Sequence, residues 1–497
     1  MKKINNRLID IFNIISRSLA FIFLAILVAF LLFGSVHIQL TEKIEFIFWK
    51  FCWVFFLFGH LLAILLIRKN YRKINEKLFF IILSAIYLLI GAYIIYFLSF
   101  RIRADAWITY TAGNEIRNGD FSRFAKTEYL GYYPHQHGMV YYSYLLTNII
   151  ETSKILFSAN MLEIIGINYF IYKITDTLFD SDKLKNLLAI YLSFAFVQQL
   201  IFITFPYNLI PGFLFMIIGL YFVIKFNQNK GHNNLFFALP FLIISCFIRS
   251  NYIIVVIAIF IYIWITNVNK LNSLKFLIAF LIFNQIFSFS TKKFTENLTG
   301  YEVSSGAPKI LWIAMGTDPE NWRIGPGWYN GFNKSVMEET DYDFDKAGKI
   351  GKEKLIENLR YYVSNPKEVG EFFGIKFLTT WGEPTYESIW SGPHIKYEQE
   401  NNSKILNSLF NEGKLYWVMY NYMKSIQFLI YALCLYYLFN WKIYNKKLSI
   451  FFIYFLGGVV FHLIWETKSQ YVYPYVILLI PNVCESLGYL FKKKKII

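Results

Sequence analysis

The residues best suited to chemistry lie in a hydrophilic stretch, residues 100–137, between two apolar segments. Asp105 follows the preceding apolar segment closely. A carboxylate beside a membrane surface is poorly hydrated, so its pKa rises and it can accept a proton near neutral pH. This placement predicts a general base at Asp105. The alternative is a solvated loop acid that pairs with Arg101 or Arg103.

Two later basic residues lie in short polar breaks between apolar segments. Arg249 lies in the run Cys-Phe-Ile-Arg-Ser-Asn, and Lys468 lies in Glu-Thr-Lys-Ser-Gln-Tyr, shortly before the last apolar segment. A cation at the depth of lipid head groups can bind a phosphate and stabilise it as a leaving group. Plain anchoring at the membrane interface is the alternative for each residue.

Two histidines, His135 and His137, alternate around Gln136 at the end of the first hydrophilic stretch. An alternating pair forms a metal site only when further ligands join it, and none is evident at a suitable spacing. We therefore favour hydrogen bonding to a substrate over metal binding.

The elements that must position these residues are membrane-spanning helices. Of the 497 residues, 56% are apolar and 20% are aromatic, and soluble chains are less apolar. Apolar runs near the roughly 20 residues that cross a bilayer recur along the chain. A further run, 138–151, is too short to cross and suits a helix in the membrane interface. We therefore expect an all-α polytopic membrane protein, with about twelve spans near 14–34, 46–67, 78–99, 155–174, 187–204, 209–226, 235–248, 251–266, 274–290, 416–440, 449–466 and 472–490.

The charge distribution predicts an orientation for these spans. The net charge is +16, and because residues 291–415 hold 18 acidic and 15 basic side chains, the rest of the chain carries +19. Basic residues cluster at both termini and in alternate short loops, which the positive-inside rule places in the cytoplasm. The stretches 100–137 and 291–415 then face outward. Nucleic-acid binding would need one continuous basic face, and none is visible.

Arg249 raises a separate question of topology. The apolar segments on either side of it are short, and one long helix would bury the charge in the membrane and break the parity of later loops. We therefore expect a tight outward turn that holds Arg249 near the membrane surface.

The chain divides into three predicted parts. Residues 1–290 form the first membrane region, 291–415 form a small mixed extracytoplasmic domain, and 416–497 form the last spans and a basic cytoplasmic tail. The run 325–331 combines glycine and proline turns with two aromatic rings. Such a run suits stacking on sugars or a structural turn.

Several function classes are not supported by any motif. The four cysteines fall in apolar segments without paired spacing, so disulfides and zinc sites are not expected. There is no nucleotide-binding glycine loop after a strand and no His-Glu-x-x-His helix. We expect no cofactor and no ATP bound to this chain.

The order of these motifs resembles the GT-C membrane glycosyltransferases, most closely the branch of protein O-mannosyltransferases and lipid A aminoarabinose transferases. The shared features are an acidic residue after an early span, the segment Asn118–Ser122, a Tyr-Pro pair before an interfacial helix, a helix-Arg-helix element and a motif before the last span. The resemblance covers residues 78–490. It implies a GT-C-like arrangement of helices.

The resemblance also assigns roles to residues. By position it implies that Asp105 is the catalytic acidic residue of the first outward loop. Two family features differ here, because Asp105 is followed by Ala106 instead of Glu, and Gln470 stands where Arg is usual. The first difference leaves metal dependence open. Together with the chemistry above, the predicted substrate-binding residues are Arg103, Tyr133, His135, His137, Arg249, Lys468, Gln470 and Tyr471.

The expected function is that of an inverting transferase on the outer face of the membrane. The donor would be a sugar on a polyprenyl-phosphate carrier, and the acceptor a cell-envelope glycan or glycolipid. Two alternatives stay open: a polymer ligase that uses a polyprenyl-pyrophosphate donor, and a flippase or transporter of lipid-linked oligosaccharides. A transporter is expected to carry ionisable residues at the bilayer midplane, whereas here most polar residues lie in outward loops.

Overall fold

The structure is a computed structural model that describes residues 2–97, 102–228, 233–267, 269–322, 324–393 and 403–493. Arg101, one of the two predicted partners of Asp105, lies outside the described residues. The first part of the chain forms α1 (Lys2–Phe33), β1 (Gly34–Ile38), β2 (Ile44–Phe48), α2 (Trp53–Asn70), α3 (Glu76–Phe97), α4 (Ala104–Arg117), α5 (Tyr129–Tyr132), α6 (His137–Ile149), α7 (Lys154–Leu178), α8 (Lys183–Ala195), α9 (Gln198–Ile201), α10 (Leu209–Asn227), α11 (Asn234–Ile248), α12 (Ile253–Thr266) and α13 (Leu271–Thr299).

The rest of the chain is also helical. Its helices are α14 (Ile310–Gly316), α15 (Phe332–Glu339), α16 (Phe344–Ser364), α17 (Pro366–Trp381), α18 (Lys404–Phe410), α19 (Lys414–Phe439), α20 (Ser449–Ile464), α21 (Tyr473–Ile477) and α22 (Ile480–Lys493). Short 3-10 turns lie at Ser122–Phe124, Pro134–Gln136, Phe202–Thr204, Ser250–Tyr252, Lys446–Leu448 and Ser469–Tyr471.

The described chain is an all-α membrane protein by the length and composition of its helices. Nine described helices are long and apolar enough to cross a membrane, and Lys183–Ala195 with Gln198–Thr204 adds a tenth, bent by 45°. The other two predicted spans are the shorter apolar helices Asn234–Ile248 and Ser250–Thr266. Each of the twelve predicted spans thus overlaps a described helix, while nine or ten helices reach spanning length.

Two predictions of local structure are wrong. The second predicted span starts at residue 46, but Ile44–Phe48 pairs antiparallel with Gly34–Ile38, and the next helix begins only at Trp53. Aromatic and β-branched residues suit a strand as well as a span, so composition could not separate the two. In addition, the described residues of 291–415 contain no strand beyond a single bridge from Trp328 to Thr467, so this stretch is not mixed.

The helices share one extensive core that reaches from α1 to α22. The α19 helix packs against α1, α2 and α22, and α10 forms a close hairpin with α11. Part of the 291–415 stretch joins this core, because Trp381 of α17 packs against Phe455 and Tyr475 with ring centroids 4.9 and 5.8 Å away. The predicted outward domain is therefore anchored in the membrane region by its second half.

The chain reverses direction at Arg249, as expected from the short flanking segments. Ser245 Oγ, near the end of α11, donates to Gly212 O at the start of α10, and Tyr252 OH donates to Leu209 O. At the other end of α10, Asn227 Nδ2 donates to Tyr262 OH of α12. The α11 and α12 helices therefore run in opposite directions beside α10.

The loops form two sets, one at each end of the helix bundle. We name the first the basic end; its contacts include Lys446 Nζ to Asp10 Oδ1 (2.9 Å), Lys447 Nζ to Gln228 Oε1 (2.7 Å) and Lys183 Nζ to Arg72 O (2.9 Å). We name the second the pocket end; its contacts include Leu40 N to Glu412 Oε1 (3.2 Å), Ser304 Oγ to Gly131 O (2.6 Å) and Arg249 Nη1 to Asn208 Oδ1 (2.6 Å). The charge-based division of loops thus corresponds to these two ends, and the side of the membrane on which each lies stays a prediction.

Candidate functional site

Asp105 lies in the first turn of α4 at the pocket end. The chain enters this helix through Ala104, whose φ is +51°. A residue with a Cβ in this left-handed region is strained by about 1–3 kcal/mol, and such strain is concentrated at functional sites. The local backbone therefore marks the beginning of α4 as a position held by the surrounding structure.

The Asp105 side chain is in contact with both solvent and protein. It is solvent-exposed, and yet burial among surrounding protein atoms raises its pKa, while a hydrogen bond from Tyr129 and the positive charge of Lys468 act in the opposite direction. A side chain that water reaches and protein still surrounds lies in an internal recess. The raised pKa favours proton uptake there, as general-base chemistry needs.

Arg249 approaches the same recess from the turn between α11 and α12. The Tyr207 hydroxyl interacts electrostatically with both Asp105 and Arg249. These two opposite charges therefore lie near the same ring. Arg249 Nη1 donates to Asn208 Oδ1 at 2.6 Å, and its guanidinium carbon lies 5.0 Å from the ring centroid of Tyr471.

Arg249 is buried without an ion-pair partner among the described residues. It is 8% exposed. The expected turn at Arg249 is present, neighbouring helices cover its side chain, and its depth near the membrane surface stays a prediction. A buried cation without an anion is costly, so this arrangement favours binding of an anionic group.

Lys468 differs from Arg249, because it already has an anionic partner. Its ammonium forms an ion pair with Glu42 in the β1–β2 turn and lies 5.0 Å from the ring of Trp390. Burial alone lowers the pKa of Lys468, but the carboxylates of Glu387 and Glu42 outweigh burial and hold that pKa above its usual value. Lys468 therefore stays protonated near Asp105, though largely neutralised, and its predicted binding of phosphate stays a prediction.

Arg103 contacts the segment that follows α17. Its Nη1 donates to Trp390 O at 2.7 Å and Gly392 O at 3.1 Å, and its guanidinium carbon lies 4.9 Å from the Trp390 ring. These contacts hold the segment against the start of α4. The structure thus gives Arg103 a positioning contact within the protein, and direct substrate binding by it stays a prediction.

Gln470 contacts the same segment from the other side. Its backbone N–H donates to Glu387 Oε2 at 3.1 Å, and its side-chain oxygen accepts from Ser391 Oγ at 3.3 Å. Tyr471, the next residue, supplies the ring beneath Arg249. The near-terminal motif therefore reaches the site mainly through Tyr471.

The two histidines have different environments and do not converge on a metal site. His137 is buried, and its Nε2 lies 3.0 Å from Leu130 O, whereas His135 is exposed beside the ring of Trp312. Burial lowers the pKa of His137 to about 4, so this imidazole is neutral at pH 7. The part of the chain that the structure describes holds no group of three or more metal-ligating side chains.

Tyr133 belongs to an aromatic wall near Asp105. Its ring lies 5.6 Å from those of both His135 and Trp312, and its hydroxyl accepts a hydrogen bond from Asn333 Nδ2 at 2.8 Å. The electrostatic effect of Asp105 on the Tyr133 hydroxyl shows that the wall borders the same recess.

The run 325–331 forms turns, as its composition predicts. Gly327 and Gly331 have φ of +70° and +88°, and a Cβ on Gly327 would lie 2.6 Å from Gly316 O. Trp328 is fully buried, whereas Tyr329 is exposed and lies in the fields of Asp105 and Lys468. The one ring available to a ligand is therefore Tyr329.

Sequence reasoning missed the acidic residues around Lys468 and the amide that holds Arg249. Glu466 is buried and its pKa is raised by burial to about 7; Glu387 is fully buried and its pKa is raised by burial to about 8. A usable signal was present for Glu387, which lies in the aromatic run Trp-Gly-Glu-Pro-Thr-Tyr-Glu-Ser-Ile-Trp. Glu42 and Asn208 carried no such signal, because only tertiary contacts bring them to the site.

Electrostatic interactions therefore link Asp105 to Lys468, to Tyr133 and, through Tyr207, to Arg249, and ring contacts add His135 and Tyr471 to this group. Arg103, His137 and Gln470 contact other parts of the protein instead. Comparison with family models, curated proteins and solved structures finds no match to this chain. The function of this chain is accordingly inferred from the chemistry of the side chains around Asp105.

Proposed function

We propose that this protein is a membrane glycosyltransferase. It would transfer a sugar from a polyprenyl-phosphate carrier to a hydroxyl group of a cell-envelope glycan or glycolipid. The observation that carries the proposal is the proximity of a solvent-reached carboxylate, Asp105, to a buried guanidinium, Arg249, that forms no ion pair among the described residues.

The chemistry follows from these two groups. Asp105 accepts the proton of the acceptor hydroxyl, and the oxygen forms a bond to the anomeric carbon of the donor sugar. The bond from that carbon to the phosphate oxygen breaks, and the polyprenyl phosphate leaves with the electron pair. Arg249 binds this phosphate and stabilises its increasing charge. The proton then passes from Asp105 to solvent, and the anomeric configuration is inverted.

The position of the recess supports a lipid-linked donor. It lies at one end of a bundle of long apolar helices, and several of these helices expose large apolar side chains outward. Such faces are expected to contact acyl chains. A phosphate carried on a polyprenyl chain would then reach Arg249 from the bilayer without leaving the lipid phase.

The first experiment compares envelope glycans from cells that lack the gene with those of cells that express the protein. Loss of a single sugar branch supports the transferase. Loss of the whole polymer contradicts it and favours a ligase or flippase.

A matched pair of variants then tests the base. Asp105→Asn should abolish transfer, a loss of at least about 100-fold, because it removes the proton acceptor. Asp120→Asn changes an exposed acid in the same loop and should leave transfer unchanged. Full activity of Asp105→Asn, with both variants expressed equally, would contradict the assignment.

A further inference from the structure

The segment 465–468 is held rigidly beside the recess. Glu466 N donates to Trp312 O at 3.2 Å, and Thr467 N donates to Gly327 O at 3.1 Å. The buried ammonium of Lys376 donates to Trp465 O at 2.8 Å and also reaches carbonyl oxygens of α14 and α20. A segment tied to three other parts of the fold keeps its side chains in fixed positions.

Glu466 is the side chain of this segment that the mechanism above does not use. It is 5% exposed, and its Oε1 has no hydrogen-bond partner among the described residues. Its carboxyl group interacts electrostatically with Lys468, Lys376, Asp105 and Arg249, so it lies close to the groups of the proposed mechanism. A buried acceptor without a partner is costly, and a ligand donor would satisfy it.

Aromatic rings border the same place. Trp312, whose carbonyl holds Glu466, stacks on Trp465 with centroids 6.2 Å apart and planes at 14°. Its ring also lies 6.2 Å from that of the exposed His135. Tyr329 is 37% exposed, and the Glu466 charge acts on its hydroxyl. Rigid rings and an unsatisfied acceptor therefore occur together.

We infer that Glu466, with the rings of Tyr329 and Trp312, forms a carbohydrate subsite that binds a pyranose ring next to Asp105. The hydroxyl groups of a pyranose donate to the carboxylate, while its apolar C–H face packs on an aromatic ring. A cationic ligand is disfavoured by the nearby charges of Lys468, Lys376 and Arg249. A purely apolar ligand would leave the Glu466 oxygen unsatisfied.

This inference rests on the proposed function, since the bound ring is either the sugar that is transferred or the sugar that accepts it. The test uses the full-length protein in detergent, with binding followed by quenching of tryptophan fluorescence. Three probes are compared: farnesyl phosphate, farnesyl phosphates that carry glucose, galactose, mannose, N-acetylglucosamine or arabinose, and the methyl glycosides of the same sugars. Farnesyl phosphate alone reports the anion site, and the added affinity of a sugar reports the subsite.

In the wild type, we expect at least one sugar to increase affinity about tenfold or more over farnesyl phosphate, as one hydrogen bond to a charged group provides. Glu466→Gln and Tyr329→Ala should each reduce this gain while binding farnesyl phosphate normally. Glu353→Gln, which changes an exposed glutamate of α16, should keep the gain. Tyr329→Ala alters an exposed ring, so it remains informative if Glu466→Gln fails to fold.

The outcomes separate the two proposals. If no farnesyl-linked sugar adds affinity and no methyl glycoside binds, or if both variants keep whichever of these effects the wild type shows, the subsite inference is overturned. If Arg249→Gln leaves the affinity for farnesyl phosphate unchanged, the proposed function fails instead. Binding of methyl glycosides identifies the acceptor sugar as the ligand, whereas a gain seen only with farnesyl-linked sugars identifies the transferred sugar, and either result supports the subsite.

Discussion

The two ends of the helix bundle each contain a buried arginine over an aromatic ring, with different neighbours. At the basic end, Arg17 is 4% exposed, lies 3.6 Å from the Trp441 ring centroid, and donates through two nitrogens to Leu438 O. That carbonyl lies in the last turn of α19, where the helix dipole is negative, so it stabilises the positive charge of Arg17. At the pocket end, Arg249 has one neutral amide oxygen and no acidic partner among the described residues. Arg17 is thus held by a helix-end carbonyl, although its Nη1 has no hydrogen-bond partner among the described residues, whereas Arg249 is held by a side-chain amide beside the Asp105 site.

The two ends also differ in the solvent exposure of a lysine–carboxylate ion pair. Lys446 and Asp10 have side chains that are 48% and 63% exposed, whereas Lys468 and Glu42 are 14% and 22% exposed. Water screens the first pair, and protein surrounds the second. The ion pair at the basic end should therefore contribute little to stability, whereas the ion pair at the pocket end should contribute more.

The largest expected effect comes from the two arginines. Arg249→Gln should reduce sugar transfer by about 100- to 1000-fold, because one donor to the leaving phosphate is lost. Arg17→Gln should leave the transfer rate per folded molecule unchanged, because Leu438 O belongs to helix capping. Transfer assays on both purified variants measure this difference. Equal losses would remove the functional contrast between the ends.

Stability should separate the two lysine pairs. Lys468→Met leaves the Glu42 carboxylate without its cation and should lower the free energy of unfolding by about 3 kcal/mol. Lys446→Met should lower it by less than about 1 kcal/mol. Unfolding in mixed micelles measures both values. A cost for Lys446→Met as large as that for Lys468→Met would show that burial does not distinguish the pairs.

The pH dependence of stability should depend on Glu387. Its pKa in the folded protein is raised by burial to about 8 from an ordinary value of 4.5, so the folded state holds a proton that the unfolded state releases. This contribution is fully present below pH 4.5 and is lost as the pH rises to about 8. Glu387 should therefore contribute up to about one proton to a fall in wild-type stability across that window, and Glu466, whose pKa is raised to about 7, should contribute part of the remainder.

Glu387→Gln should flatten this slope, and Asp10→Asn at the basic end should not change it. Thermal unfolding midpoints between pH 4.5 and 8.5 measure the slopes. A wild-type slope that survives in Glu387→Gln would assign the proton to another group of the pocket end.

The smallest effect is expected from salt at the basic end. Asp10→Asn should change stability by less than about 1 kcal/mol at low ionic strength, and 0.5 M NaCl should abolish even this change. Glu42→Gln should retain most of its effect in the same salt, because its partner is less exposed. Unfolding of the two variants at low and high salt gives the comparison. Salt sensitivity of equal size at both ends would contradict it.

Much of the architecture was predictable from local sequence. Apolar runs of spanning length are separated by polar loops, so each of the twelve predicted spans overlaps a helix, and so does the short segment before α7. The start of α2 was not predictable, since Ile44–Phe48 is as apolar as a span and becomes a strand only by pairing with Gly34–Ile38.

The candidate site was predictable in part. Asp105, Arg249 and Lys468 are polar residues next to apolar segments, a pattern visible in one dimension. Glu42 and Asn208 are not distinguished by any neighbour in the chain, and they reach the site through contacts with residues 426 and 41 positions away.

The sequence by itself determined that the chain forms apolar helices with basic and polar loops in alternation, because hydropathy and charge are properties of short segments. Only the tertiary structure decided which cation is available. Lys468 and Arg249 look equivalent in the sequence, but the β1–β2 turn brings Glu42 into an ion pair with Lys468, whereas Arg249 forms no ion pair among the described residues. Neutralisation of a buried charge depends on distances of a few ångströms between distant parts of the chain, and only the packed fold sets those distances.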